Sequence, residues 1–416
     1  MGATMAKKPS STTRRTLAGA LAALTLAAGA VGCGSSDSGD GGGGTGSDTF
    51  NYLVLLPLSG NLSSIGAADR AAVAASVDQV NSEGGILGKQ VAATYIDSTG
   101  TSSQAVAALQ KELTSGKKYD YVLNGATSTE AVPTLPFLTQ SKVVSCTSAS
   151  ATALNDPAQF PYHFITSAIS DRNAEALASA LQEKGYKNVA GMFPDTELGH
   201  SNRDAAVKAS GALGITMTTV DADPAALDLS PQMTQLQGDD PDALVLDGFG
   251  PIAGVMLKSR TKIGWDVPVM GNDTFGVNNF SQLADPGDFE GVDLNTQLLN
   301  VTDTAVTKSA EFKTYADALA KQTTDLTFAA EVYGDNYSCL LLGRAGAEKA
   351  GSTDADTFKA GMEQLQTAAD VKGWFVSKDI KFSATNHAPV YSPEDSAIFE
   401  AGERVNGLMV PGSFGK

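Results

Sequence analysis

Three short polar stretches of the 416-residue chain hold residue types that can grip a charged group. "NGATST", Asn124 to Thr129, and "CTSASAT", Cys146 to Thr152, each follow an apolar run and lead into a helical segment. Free backbone N–H groups at such a junction, together with the hydroxyls of Thr127 and Thr129, bind an anion such as a carboxylate. The same hydroxyls read equally as ordinary helix caps. In the third stretch, "VPVMGND", Asp273 follows a strand-like run and either caps the next helix or presents a carboxylate to a cation.

Catalytic chemistry finds little support. His163, His200 and His387 lack metal-ligand spacing, and the chain contains neither GxSxG nor HExxH. His200, in "ELGHSN", either lines a cleft or faces solvent. "GFGPIAG", Gly248 to Gly254, follows the strand-like "ALVLD", and Asp273 lies 19 residues beyond it, which nearly spells a dinucleotide fingerprint. Its last glycine comes one residue late, and nicotinamide cofactors are scarce outside the cell. An exported NAD-dependent oxidoreductase is therefore a poor alternative. No enzyme activity, cofactor or metal is expected.

The chain is expected to be exported. Leu17 to Val31 is almost unbroken Leu, Ala, Val, Thr and Gly behind Lys7, Lys8, Arg14 and Arg15, the pattern of an export signal. This apolar core is shorter than the ~20 residues needed to cross a bilayer. Ala30, Val31, Gly32 and Cys33 resemble a bacterial lipobox, with Ala30 in place of the usual leucine, so Cys33 is the expected lipidation site. Arg14 and Arg15 leave Sec and twin-arginine export both open. Gly34 to Asp48 has no large apolar residue and reads as a coil with an end-to-end distance of about 20 Å.

Composition fits an extracytoplasmic protein of two ordinary-sized domains, with 42% hydrophobic and 18% charged residues. A net charge of -17 argues against nucleic acid or an anionic lipid surface as partner. Cys146 and Cys339, 193 residues apart, either pair in an oxidising compartment or stay as two buried thiols.

Along the mature chain, short apolar runs alternate with Ala-rich segments of helical period. "FNYLVLL" is followed by a helix from about Ala67 to Asn81 with Val73, Val77 and Val80 on one face, and then by the glycine turn "EGGILGK". Strands are expected at Val91 to Asp97, Asp120 to Asn124 and Lys142 to Cys146, and a second series begins with "KNVAGMF", "ITMTTV", "DALVLDG" and "VPVMG". This βαβ order implies an α/β fold of two lobes, each a parallel sheet covered on both faces. A helical stretch beyond about Gln297 must pack on one of them.

From Phe50 onward the sequence resembles the type I periplasmic binding proteins of the leucine, isoleucine and valine uptake group. The resemblance rests on the order of "LLPLSGNLSSIG", "AVAASVDQVNSEGGILGKQV", "YVLNGATSTEAVPTLPFL", "KVVSCTSASATALND" and "GNDTFG". It implies two Rossmann-like doubly wound lobes joined by three crossovers, which close on a small solute and deliver it to the permease subunits of an ABC importer. The lobes would be 49–166 with 297–377, and 167–296 with 378–416, behind a signal at 1–33 and a tether at 34–48. By the same resemblance Gly125, Thr127, Ser148 and Ser150 hold an amino acid's α-carboxylate and part of its ammonium, and Asp273 faces the ammonium. Where many relatives place Tyr or Trp, this chain has Ile65, Leu198, Phe249 and Gly250, an apolar but reshaped lining. The expected protein is a monomer outside the cytoplasm, attached to the cell membrane through its lipid anchor alone. A tethered sensor of the same fold, signalling to a membrane receptor, stays open as a second reading.

Overall fold

Leu53 to Leu56 is an apolar run without polar alternation, and such a strand is stable only where helices cover both faces of its sheet. A computed structural model describes residues 49–324 and 326–414; the expected signal, Cys33 and the tether lie outside the described residues. In it β1 (Thr49–Leu56) is the second strand of five. The chain continues through α1 (Ser63–Ser82), β2 (Gln90–Asp97), α2 (Ser102–Leu113), β3 (Tyr121–Asn124), α3 (Ser128–Ala131), α4 (Leu135–Ser141), β4 (Ser145–Thr147) and β5 (His163–Ile165). The sheet order is β2-β1-β3-β4-β5, all parallel. Successive residues of β1 serve opposite faces: Tyr52, Val54 and Leu56 pack with Val73 of α1, while Leu53 and Leu55 pack with Leu109 of α2 and Leu138 of α4.

The second lobe repeats this plan with α5 (Ser170–Glu183), β6 (Asn188–Pro194), α6 (Glu197–Ala212), β7 (Thr216–Ala222), α7 (Ser230–Gln237), β8 (Ala243–Leu246), α8 (Pro251–Lys262), β9 (Val269–Gly271), α9 (Asp273–Gly276) and β10 (Val292–Gln297). Met192 and Leu246 meet Met233 and Met256 on one face, and Phe193 and Val245 meet Leu177 and Leu181 on the other.

After β10 the chain returns to the first lobe through α10 (Ala310–Leu319), α11 (Ala330–Ala350) and α12 (Ala355–Met362). Helix α11 is buried along most of its length, with Tyr337, Leu340 and Leu341 in one core with Tyr52 and Tyr121. Gly343 makes this approach possible, since a Cβ there would lie 2.5 Å from the Tyr121 ring. Cys146 of β4 and Cys339 of α11 form a disulfide, so of the two alternatives the pair is realised.

The last crossover falls later than the sequence suggests. Ile380 and Phe382 belong to the first lobe's core, Ala388 packs with Leu135 and Ile165, and His387 stacks on Phe164 with ring centroids 3.9 Å apart. Residues 378–391 thus pack with the first lobe rather than the second, because their apolar side chains fill the space beside β5. The chain then enters β11 (Ser396–Glu400), antiparallel to β10 on the edge of the second sheet, whose order is β11-β10-β9-β8-β6-β7. A small hairpin of β12 (Arg404–Val405) and β13 (Leu408–Met409) completes the described chain.

Candidate functional site

Both sheets reverse strand order beside their first strand, between β1 and β3 in one lobe and between β6 and β8 in the other, and ligands of open parallel sheets bind beyond the carboxyl ends at such points. The two leading turns are drawn in alike. A Cβ on Gly66 would lie 2.1 Å from the Pro57 carbonyl oxygen, and one on Gly199 would lie 2.0 Å from that of Pro194, so only glycine lets each helix start so close to its strand. Between the turns lies a cavity of about 380 Å³ walled by both lobes, within the usual range for small-molecule pockets. The lobes also touch beside it: Thr152 N donates to Ser201 Oγ at 3.0 Å, and Phe249 stacks on Phe328 at 5.5 Å.

Of the residues singled out from sequence, Ile65, Thr127, Ser148, Ser150, Leu198, Phe249 and Asp273 line the cavity; Gly125 and Gly250 are not part of its wall. Gly125 adopts φ +77° at the end of β3, and its carbonyl accepts from Thr147 Oγ1 at 3.3 Å. Gly250 precedes α8 at φ +76° and donates its N–H to Asn278 Oδ1 at 2.7 Å. His200 pairs with Asp195 at 2.8 Å on a half-exposed face and does not line the cavity.

On the first lobe's wall Thr127 and Ser148 are engaged within the protein. Thr127 donates its N–H and its hydroxyl to Oε2 of the buried Glu130, at 3.1 and 2.8 Å, so an internal carboxylate meets the donors of this turn. Ser98 donates to the other oxygen of Glu130. Ser148 Oγ donates to Asn336 Oδ1 at 3.2 Å, and the Asn336 amide donates to Asp69 Oδ1 at 2.9 Å.

The opposite wall carries the carboxyls of Asp247 and Asp273, and the start of α11 those of Glu331 and Asp335. Asp273 Oδ1 accepts from Gln297 N at 3.1 Å and Thr296 Oγ1 at 3.3 Å, and its Oδ2 accepts from Gln297 Nε2 at 3.0 Å. The same Gln297 amide donates to Glu331 Oε1 at 2.8 Å, joining a carboxyl of each lobe. Asn300 Nδ2 holds the other Glu331 oxygen at 2.6 Å. Burial, followed by the charge of Asp273, pushes the Glu331 and Asp335 carboxyls well above the usual range. Burial likewise raises Asp69, and it raises Asp247 to about 7. Asp69, Asp247, Glu331, Asp335 and Asn336 escaped sequence reading. Their one visible signal is Glu331 and Asp335, acids at i, i+4 and hence on one face of α11.

Two α/β lobes with a cavity at their strand ends suit a solute receptor, and a family model for periplasmic binding proteins matches residues 53–400. The chain belongs to that family. Its members are substrate-binding proteins rather than enzymes and work outside the cytoplasm; among the described residues no helix is long and apolar enough to cross a membrane. The Leu/Ile/Val-binding protein BraC3 of Rhizobium johnstonii is 28% identical to this periplasmic binding protein over 304 residues, 72% of this chain and 79% of the relative. The leucine-, isoleucine-, valine-, threonine- and alanine-binding protein of Pseudomonas aeruginosa is 20% identical over 319 residues, 74% and 81% of the two chains. Among solved structures, a solute-binding protein of Rhodopseudomonas palustris HaA2 in complex with p-hydroxybenzoic acid superposes with a TM-score of 0.73 at 18% identity, covering 87% of this chain and 95% of that one. The branched-chain amino acid substrate-binding protein of Streptococcus pneumoniae in complex with isoleucine gives 0.67 at 19% identity, covering 87% and 97%. At such identities the structural likeness is one of fold.

Proposed function

We propose that this periplasmic binding protein is the receptor of an ABC importer, tethered to the cell membrane through lipid on Cys33, and that it captures a small amino acid or related solute by closing its lobes. The observation that carries the reading is the two-sided cavity: Ser150 stands on one wall beside Thr127 and Ser148, whose hydroxyls are held by Glu130 and Asn336, and Asp273 stands on the other, a polar group for each end of a zwitterion. Its Leu/Ile/Val-binding relatives favour a branched-chain type. Closing the cleft takes the ligand's ammonium out of water, which is tolerable only beside a carboxylate. Asp273 accepts from Gln297 and Thr296 and shares a hydrogen bond with the Glu331 carboxyl. Contacts from both lobes would stabilise the closed form.

A thermal-shift screen of amino acids, amides, ureas and aromatic acids tests this, because a tight ligand raises the melting temperature by mass action. A shift with at least one amino acid is expected; no shift with any solute contradicts the reading. Replacing Cys33 with Ser should release the protein from the membrane fraction, and unchanged membrane association would remove the lipid anchor.

A further inference from the structure

The turn between β3 and α3 already holds a carboxylate. Glu130 is fully buried, and its Oε2 accepts the N–H and the hydroxyl of Thr127 at 3.1 and 2.8 Å. The Ala126 N–H reaches the same carboxyl, and Ser98, just past β2, donates its hydroxyl to Oε1. Two backbone and two hydroxyl donors from two turns thus converge on one anion, the complement that a solute's carboxylate would need.

Helix capping alone does not account for this burial. A capping glutamate satisfies the free N–H groups of a helix start. Here the helix is a single turn, Ser128–Ala131, and taking a carboxylate out of water costs more than one such turn contributes. The backbone is shaped to receive the side chain: Gly125 turns at φ +77°, and a Cβ there would lie 3.0 Å from the Glu130 Cβ. What the carboxylate joins lies on the cavity. Gly100, which lines it from the turn after β2, donates its N–H to Ser98 Oγ at 3.4 Å, and Ala126, Thr127, Ser128 and Thr129 line it from the other turn. Ser102 Oγ ties the two again, donating to the Thr129 carbonyl at 2.9 Å.

We propose that Glu130 is a positioning and specificity residue of the first wall. Its carboxylate is the resident anion of the β3–α3 turn, fixes that turn against the one after β2, and keeps a solute's carboxylate off Thr127. This rests on the amino-acid reading above and narrows it, because the Thr127 donors that a ligand's carboxylate would use are already taken.

Melting of the full chain and two variants in potassium acetate, against potassium chloride at equal ionic strength, tests the resident anion. Glu130→Ala empties the seat, so acetate should raise its melting temperature by mass action and leave the parent unchanged. Glu130→Gln fills the same volume without the charge, and should melt about 2 °C or more below the parent with no gain from acetate. In calorimetry, leucine should bind Glu130→Ala about tenfold or more weaker than the parent in chloride, and acetate should recover most of that loss. A variant that merely folds poorly would lose binding sites and keep its affinity, and calorimetry reports the two separately. Acetate that stabilises the parent and Glu130→Ala alike, or neither, overturns the resident anion. Glu130→Gln as stable as the parent overturns the need for a carboxylate, and undiminished leucine affinity in Glu130→Ala overturns the positioning role. Leucine that fails to bind the parent overturns the amino-acid reading instead, and the melts then decide Glu130 on their own.

Discussion

The two walls of the cavity are built alike and finished differently. Each lobe places a glycine-cinched turn at its switch point, yet the first lobe's hydroxyls point to protein acceptors: Thr127 to Glu130, and Ser148 to Asn336. Across the gap Asp247 keeps an oxygen with no donor, as does Asp335 on the helix that crosses back. A wall satisfied internally is preorganised and shape-selective. The two walls thus differ in how far the protein itself satisfies their polar groups.

The sharpest break of this contrast is Asp273→Ala, which removes a buried ammonium's proposed partner. The loss should be about 3–5 kcal/mol, a hundredfold or more in affinity by calorimetry. An affinity within a fewfold of the parent would make Asp273 part of the internal network only.

Next in size is the disulfide, present in the first lobe alone among the described residues, where it fixes α11 to β4. Replacing both Cys146 and Cys339 with Ser should cost about 2–4 kcal/mol, measured by denaturant unfolding. An unchanged midpoint would show that the apolar packing of α11 suffices.

Asp247 gives a comparison in pH. Burial raises its folded-state value to about 7, so the folded protein holds a proton that the unfolded chain, near the ordinary carboxylate value, has lost. Its contribution is thus most favourable at acid pH, and stability should fall as pH rises between about 4 and 7, by up to about 1.4 kcal/mol per pH unit. Asp247→Asn should flatten that slope in melts of the unliganded protein; an identical slope would place the titration elsewhere. The mildest change is Thr127→Val in the satisfied wall. Losing a hydroxyl donor to the buried Glu130 should lower stability by about 1–3 kcal/mol, seen as a lower melting temperature.

Much of the fold was legible because strands and turns declare themselves locally. The runs at β1, β2, β6 and β8 are apolar and bounded by Gly, Asp or Asn, so their order alone implied two parallel sheets. The strand-end rule likewise found the loops holding Thr127, Ser148 and Asp273. It could not find Asp69 or Asp335, because an acid within a helix reads as part of a solvated face until another element covers it. Here that cover is the packing of α1 against α11, joined through Asp69 and Asn336. The disulfide depends on two cysteines 193 residues apart being brought together, and the late third crossover on Ile380 and Phe382 finding room beside β5. Both are tertiary facts without a local signature.

The central claim is that a solute is held between the lobes by contacts from each. Small-angle scattering on the protein with and without a saturating concentration of the tightest ligand from the thermal-shift screen tests it directly. The radius of gyration should shrink on binding, as hinge closure requires. An unchanged radius, with the ligand demonstrably bound, would contradict capture by closure.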